Sequence, residues 1–137
     1  MPFVIDASAA LAWLVPSQAT AASEAFREAA ARETLFAPDA FRMEMRHALI
    51  KLERRGLVGG IALDADLPAL EDLISLEPPP AASAIARVVA LARGEQLGFY
   101  DALYLHVAME RGAVLASRDG VLLDAAKRRG AEVRDLR

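Results

Sequence analysis

The chain begins with a short apolar run that ends in a carboxylate. Phe3, Val4 and Ile5 precede Asp6, which is followed by small residues and an Ala/Leu-rich stretch ending near Leu14. The apolar run predicts a strand covered on both faces, as in a parallel sheet, and the stretch behind it predicts a helix. Asp6 would then lie at the carboxyl edge of the sheet, where open α/β folds bind their ligands. An Asp that only caps the following helix explains these residues equally well.

The remaining sequence alternates helical patterns with short apolar runs. Helices are predicted at Ser17–Arg32, Ala40–Arg55, Ile61–Ser75, Ala81–Arg93, Phe99–Met109 and Val121–Arg129. Strands are predicted at Thr34–Ala37, Leu73–Leu76, Ala113–Ser117 and Glu132–Arg134. This alternation predicts an α/β protein with a parallel sheet and right-handed crossovers. A length of 137 residues is typical of one domain, so we expect a single domain over residues 1–137.

Aspartate, proline and glycine mark several of the predicted boundaries. Asp39 is predicted to cap the helix that follows it. Pro68 favours a helix that starts near its own position over one long helix. Gly94 and Gly98 are predicted to bracket a loop.

Composition narrows the possible chemistry. The chain has no cysteine, which excludes disulfides, thiolate metal sites and cysteine nucleophiles, so oxygen or histidine must hold any metal. No apolar run is long enough to cross a bilayer, and no basic leader precedes one, so we expect a cytoplasmic protein without a membrane segment. The net charge of −3 argues against binding nucleic acid by bulk electrostatics.

Charge is unevenly distributed along the chain. Basic residues predominate between Arg42 and Arg55, whereas none occurs between Gly56 and Ala86, where five acids lie. A charged run is usually a solvated surface. Lys51, Arg54 and Arg55 nevertheless offer a route for a phosphate backbone despite the acidic total.

Four acids occupy positions that a sheet edge would bring together. Asp6 and Asp119 follow predicted strands, while Glu44 and Asp101 lie beside or at the start of apolar helical stripes. Taken singly, Asp101 also suits the first turn of a helix, Asp119 suits a turn beside Gly120, and Glu44 suits the boundary of the core. Two carboxylates about 4 Å apart repel by roughly 1 kcal/mol in water and about 4 kcal/mol at an effective dielectric near 20. Clustered acids must therefore be neutralised by protons or a divalent cation, and an all-oxygen site suits Mg²⁺ or Mn²⁺. Such a site can promote hydrolysis of a phosphodiester.

The order of these motifs resembles the PIN-domain nucleases, and more narrowly the VapC toxins of bacterial toxin–antitoxin pairs. The resemblance rests on Val4-Ile5-Asp6-Ala7-Ser8, Pro38 with Glu44 six residues later, Tyr100-Asp101-Ala102-Leu103-Tyr104-Leu105 and Leu115-Ala116-Ser117-Arg118-Asp119. It implies a three-layer α/β/α domain with a mostly parallel sheet. It also implies a Mg²⁺-dependent endoribonuclease, usually a homodimer, that cuts transfer or ribosomal RNA and is neutralised by a small antitoxin.

By motif position, the resemblance assigns the metal-binding and catalytic acids as Asp6, Glu44, Asp101 and Asp119. Ser8 and Ser117 would be supporting polar residues near the metal, and threonine is common in the family where Ser117 stands.

Several residues outside the four acids are candidate contacts for a partner protein or for RNA. The acidic segment from Asp64 to Glu77 should repel RNA and suits an Arg-rich antitoxin segment or a partner subunit. Trp13 and Leu14 are candidate contributors to a dimer face. Arg42 has three possible roles, namely to contact the substrate, to contact the antitoxin, or neither.

The same residues also allow comparison with other classes of protein. A haloacid-dehalogenase-type phosphatase needs a second Asp where Ser8 stands, and a receiver domain needs an adjacent acid pair and a late-strand lysine, neither of which is present. A metal-free ribonuclease would use His47 and His106 as acid and base. Both lie mid-helix, one turn from an acid, which favours surface or core-edge roles. A catalytically inactive PIN-like binding scaffold is the remaining alternative.

Overall fold

A five-stranded parallel sheet forms the centre of the protein. The structure is a computed structural model that describes residues 1–137. Its strands are β1 (Phe3–Ile5), β2 (Leu35–Pro38), β3 (Ile74–Glu77), β4 (Val114–Ser117) and β5 (Val133–Asp135). They are arranged in the order β3-β2-β1-β4-β5, and every neighbouring pair is parallel. The predicted α/β class with a parallel sheet is confirmed.

Seven α-helices cover the two faces of this sheet. They are α1 (Ala7–Leu14), α2 (Ala21–Ala30), α3 (Ala40–Arg54), α4 (Leu67–Glu71), α5 (Ala82–Glu95), α6 (Phe99–Arg111) and α7 (Gly120–Arg128). Right-handed crossovers place α1 to α4 on one face, because the chain there moves from β1 towards β3. The other face carries α5 to α7, since the chain then crosses to β4 and β5. The result is the expected three-layer α/β/α arrangement.

The core lies between the helices and the sheet. β1 is buried throughout, which agrees with its continuous apolar sequence. Phe26 of α2 packs edge-on against Phe3, with ring centroids 4.9 Å apart, and stacks on Trp13 at 5.3 Å. The Trp13 indole N–H donates to the Ser23 carbonyl at 3.2 Å. Much of the Trp13 ring is therefore covered within this chain.

Helix α2 starts later than its sequence pattern predicts. Pro16 begins a short 3₁₀ turn, Pro16–Gln18, and the α-helix starts only after Thr20. The Thr20 hydroxyl accepts from the Ser23 N–H at 3.0 Å, and the Ser23 hydroxyl accepts from the Thr20 N–H at 2.8 Å. This reciprocal cap satisfies two free backbone donors and sets the helix start.

Asp39 and Gly94 do not mark the helix boundaries that the sequence predicts for them. Asp39 makes no side-chain capping bond and has helical backbone angles, so the predicted cap is wrong. Gly94 does not open a loop, because α5 continues to Glu95. Arg128, the last residue of α7, and Arg129 just after it bind the Glu95 carboxylate at 2.9 and 2.7 Å, and these bonds hold the last turn of α5 in place.

Pro68 lies in the first turn of α4, which starts one residue earlier at Leu67, so the predicted helix start near Pro68 is confirmed. A π-helical turn, Ala62–Asp66, leads directly into α4. The Leu67 N–H bonds to the Ala62 carbonyl, five residues back. This wider turn allows the backbone to pass a residue that lacks an N–H and so cannot make an α-helical bond. The segment ends at Glu71, and Leu73 belongs to neither the helix nor β3.

None of the helices combines the length and the apolar character needed to cross a bilayer.

Candidate active site

The sheet reverses its winding direction between β1 and β4. In open α/β folds the ligand crevice lies beyond the carboxyl ends of the strands at such a point. The register pairs Ile5 with Ala116, so the next residues, Asp6 and Ser117, lie side by side where the two strands end. The topology therefore predicts a ligand-binding site at this edge of the sheet.

Three hydrogen bonds hold the Asp6 carboxylate. Its Oδ1 accepts from the Ser8 hydroxyl at 2.7 Å and from the Ala9 N–H at 2.9 Å, while its Oδ2 accepts from the Ser117 hydroxyl at 2.5 Å. Only 6% of Asp6 is exposed. The helix-cap and sheet-edge interpretations are both correct in geometry, because Asp6 caps α1 from the end of β1.

Ser8 and Ser117 also connect Asp6 to the backbone after β4. The Arg118 N–H donates to the Ser8 hydroxyl at 2.9 Å, and the Asp119 N–H donates to the Ser117 hydroxyl at 2.9 Å. Ser117 is fully buried. The two serines thus fix Asp6 relative to the turn that carries Asp119.

Asp119 caps α7 with one carboxylate oxygen. Its Oδ1 accepts from the N–H groups of Val121 and Leu122 at 3.0 and 3.3 Å, and its other oxygen accepts no hydrogen bond from the protein. Asp101 lies in the first turn of α6 and is half-buried. Burial is the main cause that raises the pKa of Asp6 and of Asp101, and the charge of Asp119 adds to both shifts, so these carboxylates lie within electrostatic range of one another.

Glu44 reaches the same region from α3 and is held by a tyrosine. The Tyr104 hydroxyl donates to Glu44 Oε1 at 2.9 Å, and only 1% of Tyr104 is exposed. Tyr104 belongs to the sequence motif around Asp101, which by itself predicted no role for it. A signal was present, because Tyr104 follows Asp101 by three residues and lies on the same face of α6.

None of the four carboxylates forms an ion pair with a basic side chain. Burial raises the pKa of Asp6, with the serine and backbone hydrogen bonds acting against it. Burial likewise raises the pKa of Glu44, and the charges of Asp101 and Asp6 add to the effect. The pKa of Asp101 is raised by burial and by Asp119 and Asp6. Every ion pair in the protein lies elsewhere.

The donor chemistry of this edge fits a hard divalent cation. Carboxylate and hydroxyl oxygens are the ligands that Mg²⁺ and Mn²⁺ prefer, and a cation would relieve the repulsion that raises these pKa values. No three acidic or histidine side chains converge closely enough to hold one ion as they stand. The residues therefore match a cation in donor type, while their side-chain positions do not form a closed coordination sphere.

Replacing Asp101 with Asn is expected to stabilise the metal-free protein at pH 7 by on the order of 1 kcal/mol, a small effect because the carboxylate is partly exposed. The pKa of Asp101 is raised in the folded state, so the folded protein loses stability as pH rises from 3.8 through the folded-state pKa. The amide abolishes this loss. Urea unfolding in EDTA should show an advantage of Asp101→Asn that grows from pH 4 to pH 7. A variant no more stable than the wild type at pH 7 would contradict the expectation.

The basic residues proposed to meet RNA lie at the far end of α3. Lys51, Arg54 and Arg55 are all exposed near its C-terminus. Lys51 follows Glu44 by seven residues, which corresponds to about 10 Å along the helix axis. They are accessible to a partner but do not contact the acidic edge.

Arg42 points towards α4. Arg46 makes two 2.8 Å hydrogen bonds to the buried Glu71 carboxylate, and Arg42 Nε lies 3.7 Å from the same group. Glu77 pairs with Arg111. The acidic segment is therefore partly neutralised within the chain, and its exposed acids are Asp64, Asp66 and Asp72.

The histidines occupy surface and core-edge positions, as expected. His47 is exposed on α3, and His106 is half-buried on α6. His106 lines a separate cleft beside α6.

Comparison with known proteins places this arrangement in a family. A family model of the PIN domain matches residues 3–128. The structure of PAE2754 from Pyrobaculum aerophilum is similar, with a TM-score of 0.73 at 28% identity, covering 97% of this chain and 89% of that chain. No curated protein matches significantly.

Two further solved structures share the fold at lower identity. FitAcB from Neisseria gonorrhoeae gives a TM-score of 0.68 at 17% identity, covering 97% of this chain and 96% of that chain. VapC20 from Mycobacterium tuberculosis, described as a sarcin-ricin loop cleaving toxin, gives 0.65 at 20% identity, covering 90% and 94%. With the PIN match over nearly the whole length and the acids at the edge between β1 and β4, this chain belongs to the PIN-domain family.

Proposed function

We propose that this protein is a divalent-metal-dependent endoribonuclease of the VapC type, the toxin of a toxin–antitoxin pair. The observation that carries the proposal is the buried Asp6 carboxylate, held by Ser8 and Ser117 near other acids that form no ion pair. Family membership supports a nuclease. The similar fold of VapC20, a sarcin-ricin loop cleaving toxin, supports a toxin that cleaves RNA.

In this proposal the metal ligands are Asp6, Glu44, Asp101 and Asp119, and the ion is Mg²⁺ or Mn²⁺. The chemistry supplied by a bound cation of this kind is polarisation of a phosphoryl oxygen and activation of water. Ser8 and Ser117 keep Asp6 oriented through their hydrogen bonds.

Glu44 completes the ligand set or orients the attacking water. Its Oε1 is occupied by the Tyr104 hydroxyl, which leaves Oε2 for a water or a cation. Burial and the neighbouring acids raise its pKa, and this makes Glu44 a better proton acceptor than a free carboxylate. The oriented water displaces one phosphodiester oxygen in line.

The remaining partners follow from the same proposal. The substrate is a transfer or ribosomal RNA, and Lys51, Arg54 and Arg55 attract its backbone. A cognate antitoxin with an Arg-containing segment faces the exposed acids of the segment Asp64–Glu77. A homodimer in the cytoplasm remains our expectation, with the first helices as candidate contacts.

One observation favours a second candidate function, that of an inactive PIN-like binding scaffold. The acids do not already form a coordination sphere for one ion. Isothermal titration with Mn²⁺ separates the two candidates, because a nuclease binds the ion at micromolar to millimolar concentration and a scaffold has no need to.

The direct test is cleavage of two RNA probes, a sarcin–ricin loop oligonucleotide and unfractionated bacterial tRNA. We expect cleavage in millimolar Mg²⁺ or Mn²⁺ and none in excess EDTA, because the carboxylates alone cannot activate water at neutral pH. Activity that persists in EDTA would instead assign the chemistry to the histidines. Absence of cleavage of both probes, together with no Mn²⁺ binding, would favour the scaffold.

A further inference from the structure

A second concave feature opens on the same edge of the sheet. It is a cleft of about 670 Å³ between the ends of β2 and β3 and the helices α5 and α6. Its lining includes Pro38, Pro78, Phe99, Tyr100 and Leu103. We call it the aromatic cleft. Its volume lies within the range of about 300–1,000 Å³ that is usual for small-molecule sites.

Two exposed aromatic side chains distinguish this cleft. Phe99 is 38% exposed and Tyr100 is 54% exposed, although both belong to the first turn of α6. Their rings meet edge to face, with centroids 5.8 Å apart and planes at 80°. Neither ring is required to fill the core, so the pair offers accessible aromatic faces.

The aromatic cleft is separate from the acidic site but is lined by residues next to it in the chain. Tyr100 immediately precedes Asp101, and the start of α3 lines the cleft at Asp39 and Ala40, four residues before Glu44. Two of the elements that carry the acids therefore also form the wall of the cleft. A polymer bound with one phosphate at the acids can place a neighbouring group in the cleft.

The charge of the lining favours an uncharged group. The lining contains two basic residues, Arg87 and Arg111, and three acidic ones, Asp39, Glu77 and Glu110. Arg111 forms an ion pair with Glu77. A phosphate backbone would gain little attraction here. A planar, apolar-faced group with a polar edge fits the aromatic rings, and His106 and Glu110 lie on the same face of α6 to meet such an edge.

We propose that the aromatic cleft binds an unstacked base of single-stranded RNA next to the scissile phosphate, stacked on Tyr100 and Phe99. Single-stranded RNA is read in this way by aromatic side chains, and stacking tolerates any base because each has a π-face. The RNA identity of the ligand rests on the proposed nuclease function. The cleft would contribute to the choice of cleavage site through the groups that meet the base edge.

The test uses the full-length protein in EDTA, which prevents metal-dependent cleavage. The probes are eight-nucleotide single-stranded RNAs that carry fluorescein at one end or 2-aminopurine at one internal position. Fluorescence anisotropy gives the affinity, and quenching of 2-aminopurine reports stacking of the base. We expect Phe99→Ala and Tyr100→Ala each to weaken binding about tenfold and to reduce the quenching.

Two variants provide matched controls. Tyr100→Phe keeps the ring and should bind as the wild type does. Leu73→Ala removes a side chain that is 73% exposed and lines a different cavity, so RNA binding should not change. Circular dichroism should be the same for all four variants, since Phe99, Tyr100 and Leu73 are exposed.

The outcomes separate this proposal from the proposed function. If the wild type binds and quenches but does not cleave RNA with Mn²⁺, the nuclease proposal fails and the base site stands. If Tyr100→Ala and Phe99→Ala bind and quench as the wild type does, the base site is refuted. If the two alanine variants bind RNA as the wild type does but have a different molecular mass in solution by light scattering, the cleft is an interface between copies of the chain. That result also refutes the base site. A wild type that binds neither probe refutes the base site, and cleavage of the sarcin–ricin loop and tRNA probes with Mn²⁺ still decides the nuclease proposal.

Discussion

Asp6→Asn should lower the rate of RNA cleavage at least about a hundredfold while leaving the fold intact. Changing even an outer partner of a metal ligand costs about 10–100-fold, so loss of a charged ligand should cost no less. The fold should survive because Asn has nearly the same shape as Asp. Its amide oxygen can still accept from the Ala9 N–H, and the Ser8 and Ser117 hydroxyls can rotate to donate to the amide oxygen or accept from the amide nitrogen. Removing a buried charge also relieves a desolvation cost.

The measurement is initial cleavage rate with Mg²⁺, accompanied by far-ultraviolet circular dichroism. Asp72→Asn is the matched control, because it makes the same chemical change at an exposed site in the acidic segment and should cleave as the wild type does. Cleavage by Asp6→Asn at the wild-type rate would show that the four-acid assignment is wrong.

Ser117→Ala should reduce both activity and stability. The Ser117 hydroxyl donates to Asp6 and accepts from the Asp119 N–H, and the residue is fully buried. Its loss leaves a buried carboxylate oxygen and a backbone donor without partners, which costs about 1–3 kcal/mol of unfolding free energy. Cleavage should fall about 10–100-fold because Asp6 is no longer held in one orientation. Urea unfolding and initial rates provide the two measurements.

Ser117→Thr is the matched control for this second prediction. It retains the hydroxyl, and threonine is the residue that the resemblance to VapC toxins associates with this position. We therefore expect Ser117→Thr to recover most of the activity that Ser117→Ala loses. An alanine variant as active and as stable as the wild type would show that the hydroxyl bridge is dispensable.

Local sequence patterns predicted most secondary-structure elements because each pattern reflects a nearby physical requirement. The buried run Phe3–Ile5 and the apolar stripe of α3 each follow the period of the structure they adopt. Several helix ends differ from the prediction, because the position of a helix end depends on one or two hydrogen bonds. The reciprocal bonds of Thr20 and Ser23 delay the start of α2, and the bonds of Glu95 to Arg128 and Arg129 hold the last turn of α5 beyond Gly94.

What the sequence determined by itself was the type and order of the elements and the presence of an acid in each of four motifs. Tertiary structure alone decided how those acids are held. Ser117 meets Asp6 across 111 positions, Tyr104 meets Glu44 across 60, and no short-range pattern encodes either bond. It also decided that α6 leaves two aromatic rings exposed over a cleft. Periodicity records which face a residue occupies on its own element, whereas contacts between elements depend on the packing of the whole sheet.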